Sequence, residues 1–270
     1  MIKLIAIDID DTLLDSKHEL RSSTVAAVRE ALTQDIKIVL CSGRPLAGVS
    51  PYLETLGIKG DAQYAITFNG AVIESISGHI IAKRLIEHQD YVDLTTYGQA
   101  HHIPFNIVAA DSTIITADRD VNRYIVIQAA ENFAGLEIRQ PDELSADFAI
   151  AKGCFVGESP QLDTIQAAVM AEFAPHLSVI RTAPNFLEVV HPNVNKGAAL
   201  QQLAEYLTLD ASEIMAVGDE RNDLPMFDFA GTAVAMGNGN ELAKARADFV
   251  TDTHDNDGLA KAIRQYALAK

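Results

Sequence analysis

Cysteine is scarce in this sequence. Cys41 and Cys154 are the only two, they lie far apart, and neither belongs to a C-x-x-C pair. Zinc sites built on paired cysteines and disulfide frameworks are therefore unsupported, and a reducing, cytoplasmic setting is expected. Positive charge is scarce too: 21 Lys and Arg stand against 37 Asp and Glu, a formal net charge of −16. That argues against nucleic acid as a main partner, because phosphate backbones are met by basic patches. No apolar stretch is long enough to cross a bilayer, so no membrane partner is expected. The first apolar run ends in Asp8 after one Lys, which is not the pattern of a signal peptide. Fixed-period repeats and low-complexity segments are missing. There is no G-x-x-x-x-G-K-[ST], and Gly237 and Gly239 form a G-x-G without its third glycine, so neither nucleotide fingerprint is met. Nothing in the pattern demands an obligate protein partner.

What is present is a large apolar fraction, 48% of 270 residues, enough for one large core or two smaller ones. The first part alternates short apolar runs with helical periodicity. Residues 3–8 and 36–41 read as strands around a helix with Val25, Val28 and Leu32 on one face, capped by Ser22 or Ser23. A second helix is expected over "RPLAGVSPYLETLG", with Pro45 near its start, Gly57 past its end and Pro51 able to split it. Residues 63–68 form a third strand before the turn pair Asn69-Gly70. A hairpin follows, turning near Ser77-Gly78. From 84 to 190 the pattern changes to mixed helices (88–102, 121–132, 160–173) and strands (104–109, 113–117, 148–156, 176–182, 186–190). Alternation then resumes, with a helix capped by Asn195, strands at 213–218 and 232–237, a brief strand "DFVT", and a final helix over 257–269. The expected fold is α/β: a doubly wound, Rossmann-like parallel-sheet core from 1–83 and 191–270, with an α+β domain, 84–190, inserted between.

In open parallel sheets, ligands bind beyond the carboxyl ends of the strands. There this chain places Asp8, Asp10, Asp11 and Thr12 after one strand, Ser42, Gly43, Arg44 and Pro45 after a second, and Asp219, Glu220, Asn222 and Asp223 after a third. Carboxylates gathered at neighbouring strand ends need a cation. Oxygen donors with few His or Cys nearby favour Mg²⁺, which readily takes phosphate oxygens as further ligands. Donors for a phosphate are at hand in the Ser42 hydroxyl, the Asn222 amide and Lys196 at a helix start.

"DIDDTL", "SGRP", "NKG" and "GDERND" stand in the order and spacing of the four motifs of the haloacid dehalogenase superfamily. The match resembles most its Cof-type sugar phosphatases, whose α/β cap is inserted between the second and third motifs. "ITFNGAVI" and "VAMGN" are also similar to that family. Cof-type members often carry Gly where this chain has Asp11, although Asp is common there elsewhere in the superfamily. The resemblance implies that Asp8 is the nucleophile, forming an aspartyl-phosphate, and that Asp10 is the general acid and then the base toward water. It implies that Ser42, Gly43, Lys196 and Asn222 hold the substrate phosphate. It further implies that Mg²⁺ is bound by Asp8 and Asp219 through carboxylates and by Asp10 through its carbonyl, with Asp223 supporting the metal from behind.

Taken singly, these residues have plainer readings: a turn at Asp8–Asp11, a helix cap at Ser42, a solvated charge at Lys196, and helix-start packing at Arg44. His101, His102, His191 and His254 could ligate a metal, and the first two read more simply as surface residues. Cys41 and Arg44 are too close together for the loop of a cysteine-based phosphatase, so Cys41 reads as a small core residue. The expected activity is Mg²⁺-dependent hydrolysis of a small phosphorylated metabolite, a sugar phosphate first. The alternatives are a flavin-precursor or pyridoxal phosphate as substrate, a phosphomutase, or a non-catalytic phosphosugar-binding regulator.

Overall fold

In the computed structural model, which describes residues 1–268, the first apolar run forms strand β1 (Leu4–Ile7), all four residues buried. The chain continues through α1 (Ser22–Thr33), β2 (Lys37–Cys41), α2 (Leu46–Leu56), β3 (Tyr64–Thr67), β4 (Val72–Ser75) and β5 (Ile80–Lys83). Next come α3 (His88–His101), β6 (Phe105–Ala109), β7 (Ile114–Thr116), α4 (Arg123–Glu131), β8 (Leu136–Ile138), β9 (Ile150–Val156), α5 (Ser159–Phe173), β10 (Ser178–Ala183) and β11 (Phe186–Val190). It ends with α6 (Lys196–Leu207), β12 (Ile214–Gly218), α7 (Leu224–Phe229), β13 (Thr232–Ala235), α8 (Glu241–Arg246), β14 (Phe249–Val250) and α9 (Gly258–Ala262). Two units result. One gathers Met1–Gly43, Val49–Ala82 and the chain from Asn195 onward; the other gathers Arg44–Gly48 and Lys83–Val194.

The first unit is built on an eight-stranded sheet in the order β14-β13-β12-β1-β2-β3-β4-β5. From β14 to β3 every pairing is parallel, and β4 turns back antiparallel to β3. The chain moves outward from β1 to β3, then returns to lay β12 on the other side of β1. This is the doubly wound arrangement, and its reversal point lies between β1 and β12. Both strands are buried throughout, which is why each reads as an unbroken apolar run rather than an alternating one. On one sheet face, Leu4, Ala6, Val39, Ile66 and Ala216 pack against Leu200 and Leu203 of α6 and Met226 and Phe227 of α7. Truncating either leucine to Ala would cost about 2–5 kcal/mol.

The second unit holds a six-stranded sheet in the order β10-β11-β9-β6-β7-β8, antiparallel except for the β7–β8 pair. Period-two alternation divides its faces. Phe105, Ile107, Phe155, Leu187 and Val189 form a core with Tyr91 and Leu94 of α3 and Leu162, Val169 and Phe173 of α5. The opposite parity carries polar groups: Asn106 donates to Gln128 of α4 (2.9 Å), and Lys152 pairs with Glu188 in a buried ion pair.

Several local expectations change. Ser22 is already helical and Ser23 does not cap α1. Its hydroxyl donates to Asp257 Oδ1 (2.6 Å), the oxygen that also accepts from Arg21 Nε (2.8 Å). A charged acceptor from a distant segment outcompetes the local cap. Pro51 does not split α2, which runs through it while Val49, Leu53 and Leu56 anchor the helix by burial. Strand β8 went unanticipated because it is only three residues long, too short for its apolar–polar–apolar order to stand out, and all three are exposed. The final helix is present over 258–267, α9 continuing directly into a wider, π-type stretch at Ile263–Ala267; residue 269 lies outside the described residues. Among the described residues, no helix is long and apolar enough to cross a membrane.

Candidate active site

The parallel register of β1 with β12 pairs Ile7 with Val217, so the chain leaves both strands at the same height. Asp8 is anchored there, its N–H donating to Val217 O (3.0 Å). The next residues make one wide turn, closed by N–H donation from Leu13 to Asp8 O (3.2 Å) and from Leu14 to Ile9 O (3.0 Å). Wide turns of this kind recur at functional sites. The turn exposes Asp10 and Asp11 and buries Thr12. After β12 the chain folds back at once, so that Asp223 Oδ2 accepts from the N–H groups of Asp219 (2.9 Å) and Glu220 (3.0 Å). A Cβ on Gly218 would stand 2.4 Å from the Asp223 carboxyl carbon, so only glycine admits this return.

Lys196, the first residue of α6, enters from a third direction. Asn195 caps the helix, its Oδ1 accepting from the Ala198 N–H (2.7 Å). The Lys196 side chain is fully buried and donates to Asp8 Oδ1 (2.6 Å) and Asp223 Oδ1 (2.7 Å). Carboxylate oxygens of Asp8, Asp219 and Asp223 lie within 4.8 Å of one another. Three carboxylates against one ammonium leave two negative charges in a buried, all-oxygen site, a donor set that fits a hard divalent cation.

The electrostatics follow from burial. Desolvation raises the Asp8 carboxyl well above the usual range; Lys196 opposes the shift, and Asp223 and Asp219 add to it. Asp219 is pushed up to about 7, first by burial and then by Asp223, while the Thr12 hydroxyl, donating to its Oδ1 at 3.0 Å, pulls the other way. Burial disfavours the Lys196 ammonium, but Asp223 and Asp8 more than offset it and hold its pKa above the ordinary lysine value. Burial also raises the Cys41 thiol, which rules out a ready thiolate there.

The phosphate-binding candidates Ser42, Gly43 and Asn222 lie on loops of the same unit. Ser42 is buried just past β2, its N–H donating to Ile66 O (2.9 Å), and Gly43 follows it. Asn222 is exposed beside the Asp219 turn and donates through Nδ2 to Asn69 Oδ1 (3.2 Å). Arg44 groups with the other unit. His101 and His102 are exposed at the end of α3.

A family model described as haloacid dehalogenase-like hydrolase matches residues 5–263. The chain belongs to this family. YxeH of Bacillus subtilis is 32% identical to this haloacid dehalogenase-like hydrolase over 271 residues, the alignment covering all of both chains. A second B. subtilis relative, named 5-amino-6-(5-phospho-D-ribitylamino)uracil phosphatase YcsE, is 31% identical, with 99% of this chain and 96% of that one covered. A solved haloacid dehalogenase-like hydrolase from Bacteroides thetaiotaomicron superposes with a TM-score of 0.90 at 29% identity, covering 98% of this chain and 99% of the other. The chain is thus a haloacid dehalogenase-type phosphatase.

Within this family frame, Asp11 has a simple explanation. Its φ of 56° and ψ of 10° lie in the left-handed region, where glycine is free of strain and Asp is among the better tolerated side chains. Sequence reasoning places Thr12 among the residues that follow β1 without giving it a role, and reads Asn69 only as half of a turn pair; in the structure Thr12 donates to Asp219 and Asn69 accepts from Asn222. Both contacts join segments more than 150 positions apart, and no local pattern marks them. "ITFNGAVI" was the one available signal for Asn69.

Proposed function

We propose that this phosphatase hydrolyses small phosphorylated metabolites through an aspartyl-phosphate on Asp8, with Mg²⁺ as its cofactor. The observation that carries the reading is the buried Asp8–Lys196–Asp223 ion-pair chain with Asp219 beside it, at the switch point of the sheet. Asp8 and Asp219 would hold Mg²⁺ through their carboxylates and Asp10 through its carbonyl. Bound there, Mg²⁺ would supply positive charge to the phosphoryl oxygens and favour ionised carboxylates. Asp223 is already committed, one oxygen to Lys196 and the other to two backbone N–H groups, which suits it to orient the site rather than to react.

The division of labour between the two carboxylates follows from their surroundings. Burial raises the Asp8 carboxyl, but the Lys196 ammonium opposes that shift, and bound Mg²⁺ would join it in favouring the ionised form a nucleophile needs. Asp10 is exposed on the wide turn, where a carboxyl can exchange protons with a leaving group and with water. Asp8 attacks phosphorus; the ester P–O bond breaks, its electron pair leaves with the alkoxide, and Asp10 delivers a proton to it. The Asp10 carboxylate then takes a proton from water as that water attacks phosphorus, and the Asp8 carboxylate departs. Lys196, the Ser42–Gly43 loop and Asn222 hold the phosphoryl oxygens, where charge stabilisation supplies most of the catalysis of this reaction.

For substrate, we place phosphomonoesters on a polyhydroxylated chain first, sugar phosphates among them. YcsE is named for a phosphorylated ribityl compound, a sugar-alcohol phosphate, which keeps a flavin precursor beside the sugars. The test is phosphate release from a panel of sugar, sugar-alcohol and pyridoxal phosphates, with Mg²⁺ and with EDTA, for wild type and Asp8→Asn. Release that requires Mg²⁺ and vanishes in Asp8→Asn is the expected result. An isomerised product without phosphate release points to a mutase, and tight binding without turnover points to a regulator; either outcome overturns the reading.

A further inference from the structure

Between β3 and β4 the backbone does something costly. Phe68, Asn69 and Gly70 take successive positive φ values of 51°, 57° and 103°, although the first two carry side chains. A buried aromatic residue in the left-handed region is a clear outlier, held only where its surroundings dictate it. The turn touches three loops at once. The Asn69 N–H donates to Ser42 O (2.8 Å), and the Asn69 amide packs so closely on Gly43 that a Cβ there would stand 3.0 Å from its Nδ2. Asn69 Oδ1 accepts from Asn222 Nδ2 (3.2 Å). Gly70 lies against the Asn195 carbonyl, 2.4 Å from where its own Cβ would be, at the start of the helix that carries Lys196.

We propose that Asn69 is a positioning residue for phosphoryl binding: it orients the Asn222 amide and braces the Ser42–Gly43 loop from a single left-handed turn. A primary amide has two N–H donors. One of those on Asn222 is spent on Asn69 Oδ1, which fixes the amide plane and leaves the other N–H aimed in a set direction. Turning the Asn222 amide over would set its carbonyl against the Asn69 carbonyl, so the contact also selects which end of Asn222 serves as donor. Asparagine suits the position because it accepts the left-handed backbone and carries the acceptor. The proposal rests on the assignment of Ser42, Gly43 and Asn222 to the substrate phosphate.

The test is a double-mutant cycle of Asn69→Gly and Asn222→Ala. Glycine keeps the left-handed turn without strain and removes only the side chain, and thermal melting checks that each variant folds. Two readouts are taken in Mg²⁺: turnover of p-nitrophenyl phosphate, and calorimetric binding of inorganic phosphate, which needs no chemistry. Asn69→Gly is expected to raise the KM and the phosphate dissociation constant about three- to tenfold, the range of one neutral hydrogen bond, with kcat within about twofold. Asn222→Ala is expected to match it, and the double variant to fall within about twofold of the worse single. Loss of phosphate affinity in Asn222→Ala with wild-type affinity in Asn69→Gly overturns the positioning role alone, as do single effects that multiply in the double variant. A wild type that neither binds nor releases phosphate overturns the functional reading and this proposal together.

Discussion

Lys196 is the point where charge, burial and position meet, and replacing it with methionine isolates what the ammonium does. Methionine is of similar length and fills the channel without charge. In the wild type, Nζ sits 2.6 Å from Asp8 Oδ1 and 2.7 Å from Asp223 Oδ1, with none of the side chain exposed. Its removal leaves two buried carboxylates without their cation, and deleting one partner of a buried pair costs about 3–5 kcal/mol. At about 2–4 °C per kcal/mol for a chain of this size, Tm should fall by about 6–20 °C in EDTA. The loss should also depend on pH. Without Lys196 the Asp8 carboxyl, already raised by burial, rises further above its unfolded value. A group whose folded pKa is raised supports the fold below its unfolded pKa and loses that support as pH rises through the folded value. The deficit should therefore be smaller near about pH 5.5, where more of the raised Asp8 carboxyl is protonated, than near about pH 8. Melting of both proteins at the two pH values measures it. A Tm within about 2 °C of wild type at both would refute the reasoning, because the ammonium would then not be compensating buried charge.

Three further outcomes follow from other sites. Glu74 is buried, and its carboxyl is raised by burial despite the Thr67 hydroxyl donating to it at 2.9 Å; its contribution is present below the unfolded value of about 4.3 and is lost as pH rises through the folded one. Glu74→Gln should thus match wild type in denaturant midpoint near about pH 4 and exceed it increasingly toward about pH 8. In the second unit, Glu188→Ala should destabilise by about 3–5 kcal/mol by leaving Lys152 buried without Glu188, while Lys152→Met with Glu188→Leu should recover most of the loss, as urea melts would show. Asp11→Gly should stay within about 1 kcal/mol of wild type in the same assay, since relief of left-handed strain opposes the greater entropy of the unfolded chain.

The main features of the site were legible because they depend on strand ends. Leu4–Ile7 and Ile214–Gly218 announce buried parallel strands by their unbroken apolar runs, and the acids that follow each are brought together by the doubly wound order. Lys196 was legible as a helix start, capped by Asn195 as expected. What could not be read depends on contacts between distant segments. Ser23 turns to Asp257 rather than to its own helix; Thr12 and Asn69 find Asp219 and Asn222 across more than 150 residues. Strand β8 is three residues long and exposed on both faces, so its brief Leu-Glu-Ile alternation is too short to announce a strand. Arg44–Gly48 grouping with the second unit is likewise a matter of tertiary contacts, with no signal in composition.

The most direct test of the account is to trap the covalent intermediate on Asp8. The enzyme is mixed with a substrate it turns over, quenched in acid during turnover, digested and examined by mass spectrometry for an acyl phosphate on the peptide containing Asp8. That adduct is expected in wild type, none in Asp8→Asn, and more in Asp10→Asn with p-nitrophenyl phosphate, whose leaving group departs without a proton so that only the activation of water is lost, by about 10²–10⁴-fold. Phosphate release at the wild-type rate by Asp8→Asn, or full turnover with no adduct in either of the other two proteins, would contradict the account.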